Sequence, residues 1–475
     1  MFIDGKWCDA DNGQVFEVLN PADGTVIGNV PDGGAEEAKR AIAAADRAFD
    51  SWSRTTAYQR AEILQKAYRL MLEQKEDLAR TMTLEQGKPL RAARTEVQYG
   101  ADFLLWFAEE AKRVNGEILP SARADQRFMV LRQPVGVVAA ITPWNYPISM
   151  ITRKVGPALA AGCTVVLKPA EATPLCAVAM FRIFEEAGVP PGVVNLMTAS
   201  DPKPIGAEFT SHPAVRKLTF TGSTAVGRML AAEAAGRMKR VSMELGGHAP
   251  FIVCKDADPV HAAKGGSLVK FLNTGQACIS PNRFFVHSSI YDPFVETLTA
   301  RVEKMKAGSG LEEGVAIGPL VNDAAIQKVD QQVTDAVGKG AKAVIGGTPL
   351  TSGTLGQGHF YAPTVLAGVN PDMRIYREET FGPVAPVIRY DDDDDVLAMA
   401  NDTDYGLAAY IYTRDLSQAM HLFEGLRFGI IGINDINPTS AAAPFGGMKM
   451  SGLGREGARE GIEEYLETKL GGFAI

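Results

Sequence analysis

Cys278 is the residue best placed for covalent chemistry. It lies in Asn273-Thr-Gly-Gln-Ala-Cys-Ile-Ser-Pro281, a polar, glycine-containing loop just before a strand-like run at Phe284. Backbone amides in such a loop can depress a thiol pKa and bind an oxyanion, the two requirements for attack on a carbonyl. The other four cysteines fit the commoner role of a small buried hydrophobe: Cys163 and Cys254 border strand-like runs, Cys176 lies in a helical pattern and Cys8 is near the terminus. The total of five cysteines is odd and without any C-x-x-C pair, which supports neither a disulfide framework nor a thiolate zinc site. The histidines show no H-x-x-x-H spacing, so no metal is expected. A second reactive candidate is Glu244, in Glu244-Leu-Gly-Gly247. Its glycines allow close approach of backbone or ligand, and a carboxylate in such a crevice acquires a raised pKa suited to general base work.

Three segments place polar residues directly after apolar runs: Thr142-Pro-Trp-Asn-Tyr-Pro147, Lys168-Pro-Ala-Glu171 and Thr221-Gly-Ser-Thr-Ala-Val-Gly227. Open parallel sheets bind ligands beyond the carboxyl ends of their strands, so these loops are where a ligand belongs. The third is a glycine-containing turn entering a helix, where N–H groups can meet a phosphate; it is not G-x-G-x-x-G and by itself is a weak signal. Lys168 and Glu171 can hold ribose hydroxyls or form an ordinary surface pair, and the residues alone favour the second.

These loops need a framework of parallel strands. Apolar runs at 135–141, 164–167, 193–197, 218–220 and 251–253 alternate with helical stretches, and a second series at 284–286, 384–388, 408–412 and 430–433 does the same. Alternation of this kind predicts parallel sheets with right-handed crossovers, here two α/β domains meeting near 245–255. The first 115 residues read as mainly helical, with Ile63, Leu64, Ala67, Leu70, Met71 and Leu78 forming one stripe. Residues 113–132 turn polar and mixed, an excursion from the domain body. The uncharged stretch 133–152 has the length of a membrane span, but Pro134, Pro143, Asn145 and Pro147 interrupt it, so it reads as buried strand plus loop. The aspartates 391–395 precede a helical stretch and read as its acidic first turn rather than a metal site.

At 475 residues the chain has room for two or three domains, and 46% hydrophobic with 22% charged residues is a globular composition. A net charge of −8 provides no basic field for nucleic acid or an anionic membrane. The N-terminus lacks a charged segment followed by an apolar one, so a cytoplasmic location is expected.

Taken together, Thr142-Pro-Trp-Asn145, Lys168-Pro-Ala-Glu171, Phe220-Thr-Gly-Ser-Thr224, Glu244-Leu-Gly-Gly247, Gly275-Gln-Ala-Cys278, Glu379-Thr-Phe-Gly-Pro383 and Pro444-Phe-Gly-Gly447 resemble the aldehyde dehydrogenase superfamily. The resemblance runs from Ile3-Asp-Gly-Lys-Trp7 to Tyr465-Leu-Glu-Thr-Lys469. Within the family the chain is most similar to succinate-semialdehyde dehydrogenases and related enzymes, through Ile151-Thr-Arg-Lys-Val-Gly156 and Ser451-Gly-Leu-Gly-Arg-Glu-Gly457.

The resemblance implies a Cys278 nucleophile, a Glu244 general base that activates the deacylating water, and an oxyanion site formed by the Asn145 amide and the Cys278 N–H. It implies NAD, with NADP possible, held by Ile141, Pro143, Trp144, Lys168, Glu171, Gly206, Phe220, Gly222, Ser223, Val226 and Leu245, with Glu379 and Phe381 at the nicotinamide end. It implies a small-molecule aldehyde contacted by Arg153 and Phe445, and Ser440, on the loop before Pro444, is a candidate neutral donor to it. The implied fold has two open twisted parallel-sheet domains, a Rossmann-like cofactor domain (1–115 and 135–247) and an α/β catalytic domain (248–446). A small β oligomerisation arm (116–134 and 462–475) would make a homodimer or homotetramer.

The substrate pattern departs from the family. Succinate-semialdehyde dehydrogenases often hold the distal carboxylate between two arginines; Arg153 matches the first, and the second falls at Leu272. An anionic semialdehyde is still expected, succinate semialdehyde first, with glutarate or 2-oxoglutarate semialdehyde or sulfolactaldehyde as alternatives. The competing reading of Arg153 is a helix cap or a partner for an acid. A CoA-acylating enzyme would lack the general base, which Glu244 argues against, and a non-catalytic scaffold protein would not need Cys278, Glu244 and Asn145 together.

Overall fold

The computed structural model describes residues 1–475. Its larger sheet has a parallel centre in the order Val194–Leu196, Thr164–Lys168, Val137–Ile141, Val215–Thr221, Arg240–Glu244. In chain order this is 3-2-1-4-5, so the winding direction reverses between Val137–Ile141 and Val215–Thr221. A crevice opens outside the carboxyl ends at such a reversal. Alternate residues face opposite ways: Val138, Ala140, Val165 and Leu167 enter one buried core, and Val137, Ala139 and Val166 enter the other. Burial on both faces is why these strands read as unbroken apolar runs.

The second sheet runs Lys342–Ile345, Thr364–Ala367, Val384–Tyr390, Pro281–His287, Ala249–Val253, Ala408–Tyr412, Ile430–Ile433, with only the first of these antiparallel to its neighbour. It too is covered on both sides, Phe251 and Phe284 facing one core and Ile252 and Phe285 the other. The chain passes between sheets across residues 245–248, and it returns when Gly452–Leu453 pairs with Arg240–Glu244 and forms the edge of the larger sheet. A separate antiparallel sheet joins Glu117–Pro120, Gln126–Pro134 and Leu466–Ala474. No helix is long and apolar enough to cross a membrane, and the stretch 133–152 ends one strand, forms Val137–Ile141 and enters the helix Ser149–Ala161.

Three expectations are corrected. Residues 2–31 are four strands rather than part of a helical region; two of them, Phe2–Ile3 and Lys6–Trp7, are too short to show periodicity and are held by the pairing of Phe2 with Leu196. The aspartates precede the helix Val396–Asn401 instead of occupying its first turn. Asp395 caps it by accepting from the Ala398 N–H at 2.9 Å, and Asp392 pairs with Lys255. Finally, the C-terminal strand begins at Leu466, because 458–463 form a short helix whose Ile462 enters the core of the larger sheet.

Candidate active site

The site lies where the carboxyl edge of the larger sheet meets the amino edge of the second. Glu244 ends its strand and Thr142 follows another, whereas Cys278 and Glu379 precede Pro281–His287 and Val384–Tyr390. The loop bearing the nucleophile is wound tightly: Asn273, Thr274 and Gly275 have φ of +49°, +59° and +76°. Two of these are not glycine, a strained arrangement that packing must hold. Gly275 is required on a second count, since a Cβ there would lie 2.1 Å from the Gly382 carbonyl oxygen.

That packing is a hydrogen-bond network centred on Asn145. Its amide Nδ2 donates to the Gln276 carbonyl at 3.0 Å, and its own carbonyl accepts from Asn273 Nδ2 at 2.9 Å and Lys88 Nζ at 2.7 Å. An amide nitrogen carries two hydrogens, so one fixes the side chain and the other has no protein acceptor. The Gln276 side chain closes the loop onto the second sheet, accepting from the Val321 N–H at 3.0 Å and donating to the Pro319 carbonyl at 3.2 Å.

Glu244 is 4% exposed, and neither carboxyl oxygen has an aligned hydrogen-bond donor. Burial pushes its pKa up to about 7, with Arg153 and the adjacent Cys278 thiol working in the other direction. The expectation that backbone amides depress the Cys278 pKa is corrected. Burial first, then the neighbouring Glu244, hold this thiol well above its ordinary value, and Arg153 offsets only part of that. Cys278 therefore rests as the thiol, beside a carboxylate that can take its proton.

Arg153 is 2% exposed, on the helix Ser149–Ala161. Its Nη2 lies 2.7 Å from Glu456, which Lys154 also contacts at 2.5 Å. The sequence alternative of an acid-paired arginine thus describes one of its contacts. Its guanidinium also stacks 3.9 Å from the Phe445 ring centroid, and its Nε has no partner. Burial alone would raise the Glu456 carboxyl, but Lys154 and Arg153 together keep it below the usual carboxylate range. Ser440 is exposed on the loop before Phe445, and Leu272 is half-exposed.

The proposed cofactor residues gather around the reversal in the larger sheet. Lys168 is 2% exposed and contacts Glu171, which is 39% exposed, so the pair joins a buried cation to an open carboxylate. Ser223 caps the helix Thr224–Ala235 by accepting from the Val226 N–H at 3.4 Å, leaving the helix amino terminus toward the turn. Gly222 is packed against Phe220, whose ring would meet a Cβ at 2.5 Å, and Gly227 against Leu245 at 2.2 Å. Trp144 and Phe381 meet edge to face, their centroids 5.6 Å apart. Glu379 accepts from the Gly247 N–H at 2.8 Å, and Ile141 and Pro143 flank the crevice strand end. Gly206, on the helix Lys203–Ser211, has open space where a Cβ would sit. The buried hydroxyls of Thr142 and Thr221 lack partners at the two strand ends that frame the crevice. Unpaired hydroxyls, a helix amino terminus and a Lys–Glu pair suit the hydroxyl and phosphate groups of a dinucleotide.

The family model described as "Aldehyde dehydrogenase family" matches residues 7–470. The chain belongs to the aldehyde dehydrogenase family. It is 52% identical to a glutarate-semialdehyde dehydrogenase of Pseudomonas aeruginosa, covering 99% of this chain and 97% of that one. It is 52% identical to an NADP(+) succinate-semialdehyde dehydrogenase of Escherichia coli, covering 98% and 96%. It is also 50% identical to a 3-sulfolactaldehyde dehydrogenase of Pseudomonas putida, covering 99% and 96%. The crystal structure of succinate-semialdehyde dehydrogenase from Burkholderia pseudomallei superposes with a TM-score of 0.98 at 50% identity, covering 100% of this chain and 97% of that one. This aldehyde dehydrogenase fold therefore extends over the whole chain.

Sequence reasoning missed four buried charges that support the site: Lys154 and Glu456, which flank Arg153, and Lys88 and Glu96 behind Asn145. The signal for Glu456 was present in the Arg-Glu-Gly motif. Lys88, in the turn Gly87-Lys88-Pro89 between two helices, gave no hint of which loop it reaches.

Proposed function

We propose that the protein is an NAD(P)-dependent dehydrogenase of an aldehyde bearing a distal anion, succinate or glutarate semialdehyde before other candidates, with NAD preferred. The observation that carries the substrate class is the buried Arg153, whose unpartnered Nε lies in the same pocket of charge as Glu244 and Cys278. A carboxylate or sulfonate offers that guanidinium a charge-assisted partner. The names of the relatives, semialdehyde dehydrogenases for succinate and glutarate and a sulfolactaldehyde enzyme, agree with this reading. Without a second arginine at Leu272, the grip is weaker than a two-arginine clamp.

In this reading Cys278 attacks the aldehyde carbon while Glu244 takes the thiol proton. The second Asn145 amide hydrogen and the Cys278 N–H receive the oxyanion. Bound in the crevice, NAD(P) supplies the hydride acceptor. After that first proton has passed to solvent, Glu244 removes a proton from the water that hydrolyses the Cys278 thioester, and returning it to the departing sulfur releases the acid and restores the thiol. Glu171 supports the preference for NAD, because its carboxylate accepts ribose hydroxyls and repels a 2′-phosphate, while Lys168 allows some use of NADP. We read residues 1–115 and 135–247 as the cofactor unit, 248–446 as the catalytic unit and the three-stranded sheet as the oligomerisation arm.

The test compares kcat/KM for succinate semialdehyde with that for butanal, its uncharged analogue, in wild type and Arg153→Ala, each with NAD and NADP. A wild-type preference for the anion that Arg153→Ala abolishes supports the substrate class, and a preference for NADP overturns the cofactor assignment. Equal use of the two aldehydes, or a preference unchanged by the substitution, overturns the role of Arg153.

A further inference from the structure

We propose that Lys88, together with Glu96, is a positioning residue that sets the Asn145 amide in the oxyanion site. Its place in the chain is determined by Gly87, whose φ of +90° ends the helix Lys75–Gln86 and turns the next residue inward. The turn is clamped from outside, with the Leu90 N–H donating to the Gly310 carbonyl at 2.9 Å and a Gly87 Cβ position only 2.5 Å from Pro319. Lys88 thus has a single direction to take, into the protein, where it is 1% exposed.

All three ammonium hydrogens have a destination there. One goes to Glu96 and one to the Asn145 main-chain carbonyl at 2.7 Å, and the Tyr146 ring lies 4.0 Å from Nζ. Glu96, on the buried face of the helix Leu90–Glu110, uses its other oxygen to accept from the N–H groups of Ile148 at 3.0 Å and Ser149 at 3.2 Å. The pair therefore grips residues 145–149 at both ends, and this segment carries Asn145 into the helix that bears Arg153. On the far side only Asn273 and Gln276 hold Asn145, and both belong to the strained loop of the nucleophile. The helical layer thus holds the segment that bears the amide from the side away from the nucleophile loop.

A stability role alone accounts poorly for this arrangement. Two buried charges cost desolvation energy, and a well-packed apolar pair at such a place is often as stable or more so. Direct hydrogen bonds to the segment that carries a catalytic donor fix its place, and a small misplacement of such a donor is costly in rate.

The inference rests on the oxyanion reading of Asn145, and a double-mutant cycle separates the two. The variant K88Q/E96Q removes both charges at once and leaves no unpaired ion, while the shorter amide side chain it introduces at position 88 does not reach the Asn145 carbonyl. Its kcat is expected to fall by about tenfold or more, with KM for NAD and the rate of Cys278 alkylation by iodoacetamide each within about twofold of wild type. In an Asn145→Ala background the same pair of substitutions should lower kcat by less than about twofold, since there is no amide left to position. A kcat within about twofold of wild type for K88Q/E96Q, or an equal fold loss in both backgrounds, overturns the positioning role. An unchanged kcat for Asn145→Ala alone overturns the oxyanion reading instead. If K88Q/E96Q does not fold, K88M takes its place in the same cycle with the same outcomes.

Discussion

Glu244 raises the proton affinity of Cys278, whereas the Cys278 thiol lowers that of Glu244, and the consequences differ between the two halves of the reaction. Glu244 is held near pH 7 by burial, so at lower pH it is protonated and cannot activate water. Once Cys278 is acylated, its thiol no longer bears on the carboxylate, and the base that remains is a buried glutamate near Arg153 and Lys154. We therefore expect a deacylation-limited kcat to rise with pH through about 7. Glu244→Gln should remove that limb and give a burst of NADH ahead of a slow steady state. A pH-independent kcat between about 5.5 and 8.5 in wild type, or a Glu244→Gln enzyme without a burst, would tell against the assignment. The same raised pKa bears on stability with a definite sign. A carboxyl with a folded pKa above its unfolded value favours the folded state below the unfolded pKa. That contribution is lost as pH rises from the unfolded value to about 7, so this residue opposes folding at neutral pH. Glu244→Gln should consequently be at least as thermostable as wild type at pH 8, which thermal unfolding at pH 5 and pH 8 checks.

At the scale of elements, what was legible in the sequence was the interior. Strands buried on both faces appear as apolar runs, which is why 164–167, 284–286 and 408–412 fall inside observed strands. The strand Arg240–Glu244 was not legible as a strand, because it is short, carries only two apolar residues and has as its outer neighbour Gly452–Leu453, which arrives from a distant part of the chain. The loops were legible as chemistry because polar residues at strand ends have few structural reasons to be there. The supports behind them were not, since Lys88 and Asn145 are 57 residues apart and only the folded chain joins them. The strained turn at 273–275 gives this scale its prediction. Gly275→Ala adds a Cβ at 2.1 Å from a backbone oxygen and places a non-glycine residue at φ +76°. Backbone cannot yield as a side chain would, so the substitution should cost more than about 1 kcal/mol and lower the apparent Tm by at least about 1 °C. Because the turn aims Cys278, iodoacetamide alkylation should slow as well. An unchanged Tm would mean that the loop can relax, and that its geometry is less constrained than the contacts imply.

For the whole molecule, the three-stranded sheet is the part least explained by a single chain. It joins two distant parts of the chain, only Leu466 at its inner end reaches a core, and its strand Leu466–Ala474 is an outer edge nine residues long. A long unprotected edge is a liability that folded proteins normally cover. Ile118, Met129, Leu131 and Phe473 share one face of this sheet and are all exposed, an apolar surface with no counterpart in the chain itself. Edge and surface together fit a symmetric contact in which the partner supplies what is missing, since two-fold association is the commonest way a soluble chain covers such a face. Light scattering should give a native mass that is a multiple of the chain mass. Ile118→Glu with Phe473→Glu should lower that mass while leaving the far-ultraviolet circular dichroism unchanged, because neither side chain enters a core. Only substitutions on this sheet should act in this way: a charge placed at Leu416, which is 77% exposed on the helix Leu416–Gly425 of the second sheet, should not alter the mass. A monomeric wild type, or an assembly indifferent to the double substitution, would leave the edge uncovered in solution and assign the arm a different role.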